Sequence, residues 1–236
     1  LGVKTLYLYG TKEEHGPKTA NVKGAGLIVP ICIDHYDGAT LSADNSLEYI
    51  YTLLTDGAYL RDEGYKAIVF DGLSVLESIV KNTTAFKERC KTAGGKHNPY
   101  KETEASIEII GGIINMMKGC QRQLGCHIVM TGTLDVKSVD GFGAIEEAMP
   151  KLAGYGLAEA LNSFFGDIVV VGQMTKNGES KHKFQFLSDL TKVSKDENGQ
   201  QKKVLNFKPR LSGLEVPPII DADLSALAKL KQEKMK

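Results

Sequence analysis

The sequence predicts an α/β fold, a mostly parallel sheet flanked by helices with a C-terminal β-hairpin, and three observations predict it. Short apolar runs recur in "KTLYLYG", "GLIVPICID", "YKAIVFDGLS" and "CHIVMTGT". Segments with apolar residues at helical spacing separate the later runs. Strands joined through helices run parallel, by right-handed crossovers, beneath a helical cover. Finally, Asn177-Gly178 sits between two strand-like runs, "DIVVVGQM" and "HKFQFLSD", and is hairpin-turn chemistry.

Each element has a local reason. "KTLYLYG" is a β-rich run stopped by Gly10. "GLIVPICID" carries Pro30, which has no N–H to give a ladder and so points to a bulge or an edge strand. Leu47, Ile50, Leu53 and Leu54 recur at helical spacing behind Asp44, Asn45 and Ser46 as candidate caps. "YKAIVFDGLS" is a buried-strand pattern closing on Asp71, with Ser74 placed to cap the next helix. The stretch from Lys81 to Tyr100 is polar and poorly patterned, which predicts a loop. Between Glu102 and Gly125, Ile107, Ile110, Ile114 and Met117 share one helical face, interrupted by Gly111-Gly112. "GYGLAEALNSFFG" reads as a helix, and the tail "LAKLKQEKMK" is short and basic. The organisation is one domain over 1–236, with a core to about residue 175 and the hairpin and tail over 176–236.

Composition narrows the partners. The 29 basic residues cancel the 29 acidic ones, so no bulk field favours nucleic acid, membrane or an acidic ligand. Any DNA contact then depends on a local cluster of Lys and Arg. The four cysteines, Cys32, Cys90, Cys120 and Cys126, form no C-x-x-C pair and no Cys/His ligand spacing, and Cys32 in its apolar run reads as a small core residue. No apolar run approaches the roughly 18–20 residues of a membrane helix and no signal peptide is visible. The expectation is a cytoplasmic protein with no membrane partner.

In open parallel sheets ligands bind beyond the carboxyl ends of the strands, here just after Tyr9, Ile33, Phe70 and Met130. The first of these places opens like a phosphate loop: Gly10, then Gly16, Pro17 and a Lys18-Thr19 pair. The regular pattern is G-x-x-x-x-G-K-S/T, whose amides cradle phosphate, whose lysine reaches the outer phosphates and whose hydroxyl binds magnesium. The second place supplies Asp34, His35, Tyr36 and Asp37, whose carboxylates can order a magnesium-bound water or act as a base; Asp37-Gly38 is equally turn chemistry. The lone His35 has no second histidine at metal spacing and reads as a surface residue. The third supplies Asp71, the position of an outer-sphere magnesium holder. At the fourth, Thr131 and Thr133 stand where a polar group senses a γ-phosphate.

In that order the four pieces resemble the RecA-like P-loop ATPases, most closely the phage-encoded AAA-type nucleotide-binding proteins that include single-strand-annealing factors. "LYLYG…KT" looks like that family's Walker A, "YKAIVFDGLS" its Walker B strand and "CHIVMTGT" its sensor strand. "MPKLAGYGLAEALNSFFGDIVVV" and "FKPRLSGLEVPPIIDADLSAL" resemble its later segments, over nearly the whole chain. The resemblance implies a RecA-like P-loop core that binds ATP and Mg2+. Its implied nucleotide-binding residues are Gly10, Gly16, Lys18, Thr19 and Thr131; Thr19 and Asp71 hold the metal; Asp37 and Asp71 are catalytic. Arg210 reaches across a subunit boundary in a homo-oligomer. The implied activity is a DNA-dependent ATPase of phage-type recombination or single-strand annealing, with single-stranded DNA as partner in the host-cell cytoplasm. The "GTLDVKSVDGFGAIEEAMPKLAG" segment, with Lys137, Phe142 and Lys151, corresponds to a DNA-contacting loop of such proteins.

The loop departs from that pattern. It is two residues longer, and Pro17 removes one cradle amide, a contact worth about 1.5–3 kcal/mol to a charged phosphate. Two alternatives follow. One is a pseudo-ATPase serving as an assembly subunit. The other is an unrelated α/β enzyme using Asp34, Asp37 and Asp71 for different chemistry.

Overall fold

The alternation in "TLYLY" sets the sheet. In the computed structural model this run is β1 (Thr5–Tyr9), whose Leu6 and Leu8 are fully buried while Tyr7 and Tyr9 on the other face are half-buried. The structure describes residues 3–11, 25–139, 144–152, 157, 160, 164–165, 170–176, 179–185, 194–195, 201–202 and 219–221. β2 (Ile28–Cys32) pairs parallel with β1 on one side. Two two-residue strands, β3 (His35–Tyr36) and β4 (Ala39–Thr40), then form a small hairpin. The chain continues through α1 (Ala43–Thr55) and α2 (Gly57–Asp62) to β5 (Ala67–Asp71), which pairs parallel with β1 on its other side. Next come α3 (Leu73–Asn82), α4 (Thr84–Arg89), α5 (Tyr100–Leu124) and β6 (His127–Met130), parallel to β5.

The sheet order is therefore β2-β1-β5-β6. Counted along the chain this is second, first, third, fourth, the flavodoxin-like order, in which the strand order reverses between the first and third strands. Among the described strands, Pro30 lies on β2 at the edge of this sheet, in register with Tyr7. An edge strand has one side without a ladder, so the missing N–H costs nothing there.

Register builds the core. Leu6 pairs with Ile68 and Leu8 with Phe70, and all four are fully buried. Helices α1, α3 and α5 pack on one another, which is where two right-handed crossovers running in the same direction place their helices. The apolar stripe of α5 runs through Ile109, Ile110, Ile113, Ile114 and Met117, with Ile107 only half-buried, and the helix passes through Gly111-Gly112 unbroken. Each such side chain contributes about 1.5–3 kcal/mol on burial, more than the roughly 1 kcal/mol that a mid-helix glycine costs.

Three local expectations are corrected. α1 is capped by Ser42, whose Oγ accepts from the Asn45 amide at 3.2 Å, and not by Asp44, Asn45 or Ser46. Asp44 instead accepts from the Thr84 amide and hydroxyl at 2.8 and 2.7 Å, and Ser46 is buried. Ser74 caps nothing, because α3 starts a residue earlier, at Leu73, with Gly72 in the cap position at φ 102°. The segment from Lys81 to Tyr100 is not all loop. Thr83 caps α4 by accepting from the Phe86 amide at 3.2 Å, and Phe86 and Cys90 are buried.

The chain divides into two compact units, one made of 2–134 and 150–161, the other of residue 1, 135–149 and 162–236. In the second, β9 (Val170–Lys176) and β10 (Glu179–Gln185) pair antiparallel with Lys176 opposite Glu179, the register of a two-residue turn at Asn177-Gly178, which itself lies outside the described residues. After β11 (Ser194–Lys195) and β12 (Gln201–Lys202), which pair with each other, β13 (Ile219–Asp221) adds to β10 to make a three-stranded sheet. The segment read as a DNA-contacting loop contains β7 (Leu134–Val139) and β8 (Ala144–Pro150), which pair with each other; Phe142 lies outside the described residues. Among the described residues, no helix is long and apolar enough to cross a membrane.

Candidate functional site

The carboxyl ends of the four parallel strands bring the polar residues together. Tyr9, the last residue of β1, is in register with Asp71, the last of β5. Adjacent strands lie about 4.8 Å apart, so the chain leaving β1 at Gly10 starts beside Asp71. Gly10 is buried, and a Cβ there would overlap Val75 Cγ1 of α3 and come within 3.4 Å of Asp34 Oδ2. Only a glycine lets β1, α3 and the end of β2 approach this closely.

Asp71 is held from two sides. Its Oδ2 accepts from the Tyr7 hydroxyl and its Oδ1 from the Thr131 hydroxyl. Thr131 in turn accepts the Gly72 amide on its Oγ1 at 3.0 Å, and its carbonyl takes the Leu73 amide at 2.9 Å. Thus Thr131, just past β6, fixes both the carboxylate and the turn entering α3. The two tyrosines of β1 stack beside this network with ring centres 5.9 Å apart.

Asp34, just past β2, makes a second network. Its two oxygens accept the Thr11 amide at 3.0 and 3.1 Å, and Oδ2 also accepts the Thr11 hydroxyl at 2.8 Å. The Cys32 thiol donates to Asp34 Oδ1 at 3.0 Å. Burial alone raises the Asp34 carboxyl, but the hydrogen bonds from Cys32 and Thr11 outweigh it and hold the group below its ordinary value. Burial, and then the bond to Asp34, push the Cys32 thiol up to about 11. Burial also raises the Tyr9 phenol, with Cys32 and Asp34 adding to it.

The structure gives the expected residues separate places. Gly10, Asp71 and Thr131 converge on one rim of the sheet. Asp37 sits in the two-residue turn between β3 and β4, where it and Gly38 both take left-handed conformations, φ 49° and 77°. That pair of dihedrals belongs to the hairpin turn that an Asp-Gly sequence favours, and the residue is exposed. Gly16, Lys18, Thr19 and Arg210 lie outside the described residues.

One cluster escaped the sequence reading. Cys32, Asp34 and His35 each offer a ligand atom within 4.8 Å of the others. Cys32 is not a core residue but half-buried at the rim. The spacing Cys-x-Asp-His spans a strand end and a bend, so it matches neither the C-x-x-C nor the helical ligand patterns; the signal was the mixed donor set itself, in "CIDH". A shallow groove of about 320 Å³ lies beside the same hairpin, lined by Tyr36, Leu41, Asn45, Glu48, Tyr49 and Thr52. Compared with known proteins, the chain matches no family model and no curated protein, so the site is read from its own geometry.

Proposed function

We propose that the protein binds ATP with Mg2+ at the carboxyl ends of β1 and β5, as a RecA-like P-loop protein of phage-type DNA recombination or single-strand annealing. The observation that carries this reading is the shared rim. The loop bearing Gly16, Lys18 and Thr19 departs at Gly10, beside Asp71, at the point where the strand order reverses. The flavodoxin-like strand order belongs to doubly wound sheets in general, so the reading rests on the rim chemistry and on the sequence resemblance.

The residue types suit that group. Gly10 supplies close backbone approach, Lys18 the cation for the outer phosphates, and Thr19 with Asp71 the oxygens for magnesium, directly or through water. Thr131 stands against Asp71 where a polar side chain answers a terminal phosphate. Bound Mg2+ supplies the charge that draws the phosphates and polarises the terminal one. Arg210 from a neighbouring copy, and single-stranded DNA as activator, complete the proposal.

A specific observation favours the pseudo-ATPase as second reading. Both Asp71 oxygens already accept protein hydroxyls, and Pro17 withholds a cradle amide. Each oxygen keeps a second lone pair, so binding survives this while hydrolysis is the more exposed function.

Melting the protein with and without Mg-ATP separates these readings. Nucleotide at 100 times Kd stabilises the native state by about 2.7 kcal/mol. The expected result is a rise in Tm that Lys18→Ala and Asp71→Ala abolish, with turnover stimulated by single-stranded DNA. A Tm rise without turnover selects the pseudo-ATPase. No rise at millimolar nucleotide overturns the nucleotide reading.

A further inference from the structure

We infer that Cys32, Asp34 and His35 form a binding site for a divalent transition-metal ion of the Zn2+ class, separate from the magnesium of the proposed nucleotide. The three donors come from the end of β2, the bend after it and the first residue of β3, and their ligand atoms already lie within 4.8 Å of one another. Around a tetrahedral zinc, with bonds of about 2.0–2.3 Å, neighbouring ligand atoms sit about 3.4–3.6 Å apart. Cys32 Sγ to Asp34 Oδ1 is 3.0 Å, and His35 Nδ1 to the same oxygen is 3.8 Å. The cluster needs adjustments of only a few tenths of an ångström on those two edges.

A second observation points inward. His35 Nδ1 is buried with no hydrogen-bond partner, whereas its Nε2 lies 3.0 Å from Thr40 Oγ1 on β4. A buried ring nitrogen without a partner is costly, and a metal at Nδ1 removes that cost. Thr40 then plays the part that second partners of metal-bound histidines commonly play, fixing ring orientation and tautomer. The Asp37-Gly38 turn gains a purpose too, since it folds β4 back so that Thr40 reaches His35.

The donor set selects the ion. Thiolate and imidazole suit zinc-class metals, whereas magnesium prefers oxygens and keeps its waters. On binding, the S–H bond of Cys32 breaks heterolytically, its proton leaves to solvent, and the sulfur pair forms the metal bond. Thiolate and carboxylate together then neutralise the 2+ ion, and the imidazole stays neutral. Among the described residues three protein ligands leave a fourth position open, the arrangement of reactive rather than purely structural zinc sites. Because Asp34 also accepts both Thr11 donors, the ion is tied directly to the start of the loop after β1.

The test uses the full chain without nucleotide, so its outcome is independent of ATP binding. Co2+ is titrated as the absorbing probe and Zn2+ as the competitor. The expected result is a thiolate-to-cobalt charge-transfer band that Zn2+ displaces and Mg2+ does not. Cys32→Ser and His35→Ala lose the band, and Thr40→Val weakens Co2+ binding by about 10-fold. Absence of the band in the unmodified chain overturns the site, as does a band that persists in Cys32→Ser. If either ligand variant fails to fold, alkylation of the unmodified chain decides. Zn2+ protecting Cys32 supports the site, and equal labelling of Cys32 with and without Zn2+ overturns it; the buried Cys90, Cys120 and Cys126 serve as internal references.

Discussion

Asp34 and Asp71 stand at the same rim of the sheet, one just past β2 and one closing β5, yet their surroundings divide their work. Asp71 is clasped by two hydroxyls of the sheet, Tyr7 and Thr131. Asp34 gathers a backbone amide, a hydroxyl and a thiol, which together hold its carboxyl below the ordinary range against the pull of burial. Gly10 between them was legible as a strand terminator, but its tight approach to Val75 depends on where α3 lands. Gly10→Ala is expected to destabilise the protein by about 1–3 kcal/mol, because the added methyl must displace a β-branched neighbour. Urea denaturation measures it, and an unchanged midpoint refutes the close packing. Cys32 reads as a core residue in sequence, and lies at the rim instead, for a related reason: an apolar run says that a residue is near the core but not which way its side chain turns. Period two in β2, followed by the bend at Asp34, turns the thiol to the rim.

At the level of elements, apolar spacing located α1, the body of α5 and the four parallel strands. The ends were harder, since a cap depends on one hydroxyl meeting one amide, and Ser42 competes with three polar neighbours in sequence. α4 went unseen because six residues hold too little periodicity to stand out from a polar stretch. It is anchored at its N-terminus by Asp44 of α1, which accepts two hydrogen bonds from Thr84. Those bonds from the Thr84 side chain and amide lower the Asp44 carboxyl below its ordinary 3.8. A group depressed in the folded state stabilises above its unfolded pKa and loses that contribution as pH falls through the folded value. The charge at the start of α1 acts with the same sign. Asp44→Ala is therefore expected to melt lower than the unmodified chain at neutral pH, with the gap closing as pH drops below 3.8. Thermal melts across that range check it, and a gap independent of pH refutes the assignment to the ionised carboxylate.

For the whole molecule, the decisive packing is where Leu6, Leu8, Ile68 and Phe70 meet in register across β1 and β5. Phe70→Ala is expected to cost about 3–5 kcal/mol, a large part of the 5–15 kcal/mol that holds a typical domain folded. A urea midpoint shifted by that amount at unchanged slope confirms its place, and a loss under 1 kcal/mol refutes it. From sequence alone came the α/β class, the parallel strands and their carboxyl ends, the restriction of Pro30 to a bulge or an edge, and the strands of the C-terminal hairpin. Each of these follows from near-neighbour rules: side-chain periodicity, the missing N–H of proline, the twist of a two-residue turn. The tertiary structure alone decided the strand order, the partners of Asp71, the pairing of Asp44 with Thr84 and the convergence of Cys32, Asp34 and His35. Those depend on which distant segments come to lie beside each other, and side-chain period carries no information about lateral order in a sheet.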